Sequence, residues 1–321
     1  MNKIKIGIVV AMLAIFLLGC ATQNTPSADV KTIEKVEIGY KKHLAYLPLF
    51  VGLEKGFFAE QDLEVVVVPF DSTNQMMTAI ATGEIDASIG GSNLEAVLSL
   101  EEKSPGSLKV FSTQRITKDS RMSCVLVKKG SEVTTISALK NKKVATLPGS
   151  FAPLWITATL EKEGINPSDV EIQGIDLKLH LSALESGQID ALFTAEPLCA
   201  FGVNKGIATI LYDEPIKNLM STFSASVVGT QTIADDAKKA DKIVKATDKA
   251  IRYLESHPQE AVDILAKYAS YEKNLLNGIK IPTYATSSEV TEDELQEVAD
   301  TLYEEGIIKK RIEADGLLYD S

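Results

Sequence analysis

The 321-residue chain is poor in the residues that build metal and redox sites. It has three cysteines, three histidines and one tryptophan. His43, His180 and His257 do not cluster at the spacing of a metal site. No P-loop, G-x-S-x-G, H-E-x-x-H or paired C-x-x-C string occurs in the sequence. These absences argue against a metalloenzyme, a serine hydrolase and an ATPase, so we expect no metal and no cofactor.

Basic residues are also scarce. The chain has 33 Lys and Arg against 44 Asp and Glu, for a formal net charge of −11. No basic stripe is present, which argues against nucleic acid as a partner. The acidic balance favours solubility, and any site for an anion must be built locally against the overall field.

The N-terminus carries an apolar run with a positive start. Lys3 and Lys5 precede residues 6–18, which are apolar and uncharged. This run is shorter than the about 20 residues that a membrane-spanning helix needs. The pattern is typical of a secretory signal, with an uncleaved anchor as the alternative.

The string Leu17-Leu18-Gly19-Cys20 resembles the bacterial lipobox. The resemblance implies that residues 1–19 are a lipoprotein signal peptide and that Cys20 is lipidated. Stable anchoring takes two or more acyl chains, which a lipoprotein cysteine supplies. The polar residues 20–35 then form a flexible tether, and the protein is expected on the extracytoplasmic face of the cell membrane.

The other two cysteines lie in apolar strings. Cys124 is in MSCVLV and Cys199 is in EPLCAF. We expect both to be buried free thiols. An exported protein could instead pair them, which requires their Cα atoms to approach within disulfide range.

One sequence pattern occurs twice. Residues 79–87 and 183–191 share A-[IL]-x-[ST]-G-[EQ]-I-D-A. The glycines that follow helical apolar periods fit the left-handed position after a helix. They are Gly56, Gly83, Gly164 and Gly187.

Each half also contains short apolar strands. Val65–Val68 is a β-branched run that predicts a strand buried on both faces. Ile85–Ile89 and Ile189–Phe193 predict two further buried strands. Strands that alternate with helices indicate a mostly parallel sheet, so two such units predict two α/β lobes. A single doubly wound domain is the alternative.

The C-terminal third is predicted to be helical. Residues 234–256 and Pro258–Tyr268 have amphipathic periods, and Thr291 with Glu294 forms a capping box. Strands are expected near 123–128 and 223–229, where we interpret them as the two crossings between the lobes.

The order of several blocks resembles the nitrate/sulfonate/taurine-type substrate-binding proteins of ABC importers, a group that includes thiamine-precursor binders. The resemblance covers about residues 36–310. The blocks are Ile38-Gly39-Tyr40, Pro48-Leu49-Phe50-Val51, Glu54-Lys55-Gly56-Phe57-Phe58, Thr82–Ala87, Leu139–Ala145, Ser186–Ala191, Glu196-Pro197 and Gly306-Ile307-Ile308.

The resemblance implies a type II periplasmic-binding-protein fold, with two lobes joined by a two-crossing hinge. Lobe I is predicted to comprise residues 36–123 and 223–321, and lobe II residues 124–222. The closed form of such a protein docks on a permease that works with an ATPase. We expect a monomer that binds a small, anionic solute and is not an enzyme.

Ligands bind outside the carboxyl ends of strands in open α/β sheets. That rule selects four loops, which are Lys42–Tyr46, Gly90–Asn93, Pro148–Phe151 and Thr194–Pro197. The second and third place glycine and then a hydroxyl at a helix N-terminus, where free N–H groups favour an anion. Ser92 and Ser150 could instead only cap their helices.

Arg115 could reach the cleft as an anion partner or be a solvated loop residue. Trp155 could floor an apolar subpocket with Phe151 or pack in the core. Glu196 could meet an amino group or only hold its turn. The complete set of predicted ligand-binding residues is His43, Tyr46, Gly91, Ser92, Asn93, Arg115, Gly149, Ser150, Phe151 and Glu196.

Three alternatives to an importer protein that binds a sulfonate or nitrate-like solute are considered: a different ligand, a sensor and an enzyme. The ligand could be a pyrimidine thiamine precursor, because Tyr46, Phe151 and Trp155 suit a planar ring. The protein could report to a membrane kinase as a sensor. The same fold also occurs in fungal pyrimidine synthases, but their cysteine-rich iron motif is missing here.

Overall fold

The computed structural model describes residues 33–320. The predicted signal peptide, the lipidation site at Cys20 and most of the predicted tether lie outside the described residues.

The described chain alternates strands and helices in two series. The strands are β1 (Glu34–Tyr40), β2 (Leu63–Pro69), β3 (Ala87–Asn93), β4 (Leu108–Arg115), β5 (Ser123–Lys128), β6 (Lys143–Thr146), β7 (Glu171–Gly174), β8 (Ala191–Ala195), β9 (Ala208–Asp213), β10 (Thr222–Gly229) and β11 (Thr283–Ala285). The helices are α1 (Leu47–Glu54), α2 (Thr73–Ala81), α3 (Leu94–Lys103), α4 (Ala152–Lys162), α5 (His180–Ser186), α6 (Leu198–Asn204), α7 (Thr230–Asp235), α8 (Ala237–Ser256), α9 (Pro258–Ala269) and α10 (Glu292–Glu304).

The strands form two separate sheets. One has six strands in the order β11-β4-β10-β3-β1-β2, and the other has five in the order β7-β6-β8-β5-β9. In each sheet a parallel core of three strands continues into antiparallel strands, which begin with β10 in one and β5 in the other. We call the six-stranded sheet with its flanking helices lobe I, and the five-stranded sheet with its flanking helices lobe II. Two sheets rule out the single doubly wound domain; the exact lobe boundaries remain a prediction.

The chain passes between the sheets twice. Residues 116–122 lead from β4 to β5, and residues 214–221 lead from β9 to β10. The predicted strands at 123–128 and 223–229 exist, but they are not crossings. Each is a paired strand inside one sheet, because its apolar side chains complete that sheet's core.

The repeated sequence pattern has the same structural task in both lobes. The Asp86 carboxylate accepts a hydrogen bond from Glu37 N at 2.8 Å, and Asp86 N donates to Glu37 O at 2.8 Å. Asp190 makes the same two bonds with Lys143, also at 2.8 Å. The aspartate therefore fastens the start of one strand to its parallel neighbour, which explains why I-D-A recurs.

Local predictions about helix ends are confirmed. Gly56, Gly83, Gly164 and Gly187 all have positive φ, between 71° and 77°. Thr291 and Glu294 form the predicted capping box at the start of α10. The predicted helix at 234–256 is interrupted, because Asp236 is extended and caps α8.

Two strand predictions need correction. The run Val65–Val68 lies in β2 as expected, but β2 is an edge strand and Val67 is 38% exposed. The strands expected from Ile85 and Ile189 begin two residues later, at Ala87 and Ala191. The isoleucines instead are buried in the turn before each strand.

The expectation of free thiols at Cys124 and Cys199 is wrong. The two cysteines form a disulfide, with a Cα–Cα distance of 6.0 Å. Cys124 lies in β5 and Cys199 in α6, and both are fully buried. The bond therefore fixes α6 to a strand of lobe II.

Candidate functional site

A cavity of about 460 Å³ lies where loops of the two lobes meet. Lobe I contributes the loop after β1, the start of α2 and the end of β3, and lobe II contributes the loop after β6. The lining residues are Lys41, Asp71, Ser72, Thr73, Asn74, Asn93, Leu147 and Pro148. The cavity thus lies at the carboxyl ends of parallel strands in both sheets, where ligands bind in such folds.

One wall of the cavity is the N-terminus of α2. Ser72 caps this helix, since its Oγ accepts a hydrogen bond from Gln75 N at 3.3 Å. Lys41 Nζ donates to Thr73 Oγ1 at 3.3 Å, and burial lowers the pKa of Lys41. A helix N-terminus beside a partly desolvated ammonium attracts an anion. The sequence analysis predicted neither Lys41 nor the start of α2 as part of the site. The polar string Asp71-Ser72-Thr73 after a strand could have indicated the helix start.

Asn93 is the one predicted site residue that lines this cavity. It ends β3 and precedes the first turn of α3, where its side chain makes no capping bond. Its Nδ2 donates to Glu95 Oε2 at 3.3 Å, and its Oδ1 is buried without a partner among the described residues. Burial raises the pKa of Glu95.

Gly91, Ser92 and Tyr46 lie in the interior of lobe I. The string predicted as a loop is the continuation of β3, because it pairs with β10. Ser92 is fully buried and donates to Ser88 Oγ at 2.9 Å. A Cβ on Gly91 would lie 2.2 Å from the ring of Tyr46, so this glycine makes room for the buried tyrosine.

The third predicted loop connects β6 to α4. Gly149 has φ +115°, and Ser150 is exposed. Phe151 precedes α4 and packs edge-on against Trp155, with ring centroids 5.9 Å apart. Trp155 is buried and packs against Phe223 of β10, also at 5.9 Å. The start of α4 is therefore next to the cavity and in contact with lobe I.

His43 and Glu196 meet across the lobes. His43 Nε2 lies 2.8 Å from the Glu196 carbonyl oxygen, while Nδ1 accepts from Ala45 N at 3.2 Å. These two bonds require a neutral ring with the proton on Nε2. Loss of solvent around the ring, and the charge of Lys41, lower the pKa of His43 to about 4. His43 and Glu196, which were predicted separately as ligand-binding residues, therefore contact each other between the lobes.

The carboxylate of Glu196 is engaged inside lobe II and its hinge. Arg121 Nε donates to Oε1 at 2.6 Å, and Ala200 N donates to Oε2 at 3.0 Å. Arg121 belongs to the first crossing and also lies 3.7 Å from Asp213 Oδ1. Burial raises the pKa of Glu196 although Arg121 opposes the shift.

Arg115 lies apart from this set. Its guanidinium forms an ion pair with Glu294 and donates to the Glu289 carbonyl oxygen at 2.6 Å. These contacts hold β4 to the start of α10.

Among residues 33–320, no group of three or more His, Cys, Asp and Glu side chains could hold a metal ion. Over the same residues, no helix combines the length and the apolar character that crossing a membrane requires.

Comparison with known proteins agrees with the architecture. The chain is 25% identical over 320 residues to the "Putative aliphatic sulfonates-binding protein" of Bacillus subtilis (strain 168), covering 96% of this chain and 93% of that protein. The periplasmic aliphatic sulphonate binding protein SsuA from Escherichia coli superposes with a TM-score of 0.73 at 18% identity, covering 89% of this chain and 97% of SsuA.

The periplasmic nitrate-binding protein NrtA from Synechocystis PCC 6803 superposes with a TM-score of 0.68 at 12% identity, covering 89% of this chain and 85% of NrtA. These two structures confirm the predicted two-lobed binding-protein fold. The family described as "NMT1/THI5 like" matches residues 44–261, more than half of the chain. The chain therefore belongs to the NMT1/THI5-like family, as the resemblance in its sequence predicted.

Proposed function

We propose that this protein captures a small organic anion between its lobes and delivers it to the permease of an ABC importer. The observation that carries the proposal is the 460 Å³ cavity, which residues of both lobes line. Among the described residues that line it, Lys41 is the one cationic side chain and Asp71 is the one acidic side chain. The names of the sulfonate-binding and nitrate-binding relatives support the same class of solute.

Lys41 and the start of α2 favour an anion in the cavity, against the acidic protein surface and the exposed carboxylate of Asp71. The start of α2 contributes about 0.3–1 kcal/mol to anion binding, and up to ~2 kcal/mol where it is partly buried. The starts of α3 and α4 follow Asn93 and the Pro148 loop, so both lie next to the cavity. A solute bound at about 1 μM needs roughly −8 kcal/mol, so Lys41 and apolar contacts must supply the larger part.

The size and lining of the cavity narrow the solute class. Its volume lies within the range of about 300–1,000 Å³ that is usual for organic ligands, well above what nitrate fills. None of the described residues that line it is aromatic, so a planar pyrimidine would find no stacking partner there. Leu147 and Pro148 offer an apolar contact for a short carbon chain. We therefore favour an organic sulfonate over nitrate and over a thiamine precursor.

The proposal includes a hinged clamp on a membrane anchor. A solute that touches Lys41 of lobe I and Pro148 of lobe II makes both contacts only in the closed form. Such differential contact is what any ligand-driven closure requires. Lipidation at Cys20 would keep the clamp near its permease, and the solute would be released chemically unchanged.

The test is a thermal-shift and calorimetric comparison of three probes: ethanesulfonate, nitrate and 4-amino-5-hydroxymethyl-2-methylpyrimidine. Ethanesulfonate should raise the melting temperature, because binding to the folded form alone stabilises it. Lys41→Gln should weaken ethanesulfonate binding about tenfold or more, since a partly buried charge contact is lost. Lys42→Gln, which removes an exposed lysine next in sequence, is the matched control and should bind normally.

Two results would count against the proposal. If only the pyrimidine raised the melting temperature, the ligand would be a thiamine precursor and not an organic sulfonate. If mass spectrometry showed that a bound compound is converted to a product, the protein would be an enzyme and the proposed binding function would be wrong.

A further inference from the structure

The helix α6 of lobe II contacts residues 271–277 of lobe I. Asn204 Nδ2 donates to the Leu275 carbonyl oxygen at 2.9 Å and to the Asn277 carbonyl oxygen at 2.8 Å. Phe201 packs edge-on against Tyr271, with ring centroids 5.4 Å apart. Both amide hydrogens of one side chain are therefore used in bonds between lobes.

The helix α6 is held firmly in its own lobe. The disulfide from Cys199 to Cys124 fixes it to β5, and Ala200 N donates to the buried carboxylate of Glu196. Because Glu196 is also paired with Arg121, the base of α6 is fixed to the first crossing. A movement of lobe II therefore carries Phe201 and Asn204 with it.

The partner segment, residues 271–277, is held in lobe I. Tyr271 Oη donates to the Lys42 carbonyl oxygen at 2.9 Å, and Leu276 is buried against the core of that lobe. Lys42 follows Lys41, which lines the cavity, so the segment is connected to a loop of the proposed solute site. The cavity lining does not include Phe201, Asn204 or Tyr271.

We infer that Asn204 and Phe201 form a latch that closes the lobes on residues 271–277 and so determines solute affinity without touching the solute. The inference rests on the proposed function, because it assigns regulation to the same cleft. When only the closed form binds, the apparent dissociation constant equals the intrinsic constant divided by the closed fraction. Bonds that exist in the closed form alone raise the closed fraction. If those bonds are lost, the closed fraction falls and the affinity falls by the same factor as the fraction.

The experiment compares three variants of the complete protein. Asn204→Ala removes both donors, and Asn204→Asp places a carboxylate against two carbonyl oxygens. Asn274→Ala is the matched control, because Asn274 is an exposed asparagine in the same lobe I segment. Small-angle scattering without solute gives the radius of gyration, and titration calorimetry gives the affinity for ethanesulfonate.

Asn204→Ala should increase the solute-free radius of gyration and weaken ethanesulfonate binding about fivefold or more, with a larger effect for Asn204→Asp. Asn274→Ala should match the wild type in both measurements. The latch is wrong if both Asn204 variants keep the wild-type radius, whatever happens to affinity. If wild-type protein binds no ethanesulfonate, the proposed solute class fails, while the scattering comparison still decides the latch.

Discussion

The disulfide between Cys124 and Cys199 makes a quantitative prediction about stability. It closes a loop with a sequence separation of 75 residues. The chain-entropy relation gives a stabilisation of about 4.5 kcal/mol at 25 °C for that loop, and measured disulfides typically contribute about 2–4 kcal/mol. We therefore expect reduction to lower the free energy of unfolding by about 2–4 kcal/mol.

Two forms of the protein separate loop closure from packing. Reduced wild-type protein keeps both buried sulfur atoms but loses the cross-link. The Cys124→Ala/Cys199→Ala variant loses the cross-link and the sulfur atoms, so it should be less stable by roughly a further 1–2 kcal/mol. Urea unfolding followed by far-ultraviolet circular dichroism measures both differences, in a Cys20→Ser background that leaves only the two cysteines of interest.

The refuting results are specific. Thiol titration of urea-unfolded, unreduced protein should find no reactive cysteine, since both sulfurs are bonded. Two reactive thiols would show that the pair is not formed. A paired protein whose urea midpoint does not change on reduction would contradict the loop-closure argument.

The remaining predictions concern anchoring, the cleft and pH. Cys20→Ala should release the protein from the membrane fraction or leave it unprocessed; a processed, membrane-bound variant would contradict lipidation. Ser150→Asp should lower ethanesulfonate affinity tenfold or more in calorimetry, because Ser150 is exposed beside the start of α4. An unchanged titration would remove that loop from the site, whereas Ser92→Asp should prevent folding because its carboxylate would be buried. Because the folded-state pKa of His43 is lowered to about 4, stability should fall by on the order of 2–3 kcal/mol as pH falls from 6.5 to 4. Burial raises the pKa of Glu196, which acts in the opposite direction, so the difference between wild type and His43→Gln in pH-dependent urea unfolding isolates the histidine; parallel curves would refute this assignment.

Features that depend on neighbouring residues were predictable from the sequence. Gly83 and Gly187 end helices because their left-handed backbone disfavours other residues, and the Thr291–Glu294 capping box spans four residues. The repeated I-D-A string correctly predicted two lobes, because the aspartate of each copy bonds to the parallel neighbour of the strand that follows it.

Features that depend on distant residues were not predictable in this way. Gly91 and Ser92 have the composition of a loop, yet Ser92 pairs with Ala225, more than a hundred residues away. The exposure of Val67 depends on β2 being at the sheet edge, which no local pattern shows. The pairing of Cys124 with Cys199 likewise depends on how α6 packs on β5.

The site was partly predictable for the same reason. The rule about strand ends placed the cleft near Asn93 and the Pro148 loop, both of which line the cavity. It did not predict that the side chains of Tyr46 and Ser92 point into the core. The same rule holds for β2, because Ser72 caps α2 and Thr73 begins it just after the carboxyl end of that strand.

Trp155 is the only tryptophan in the chain, and it packs on Phe223 at the boundary between the lobes. Its intrinsic fluorescence is therefore a built-in optical probe of that boundary, with no competing indole elsewhere in the sequence. A stopped-flow instrument could follow its emission while solute is mixed with unlabelled protein. The dependence of the observed rate on solute concentration would then distinguish closure that follows binding from closure that precedes it.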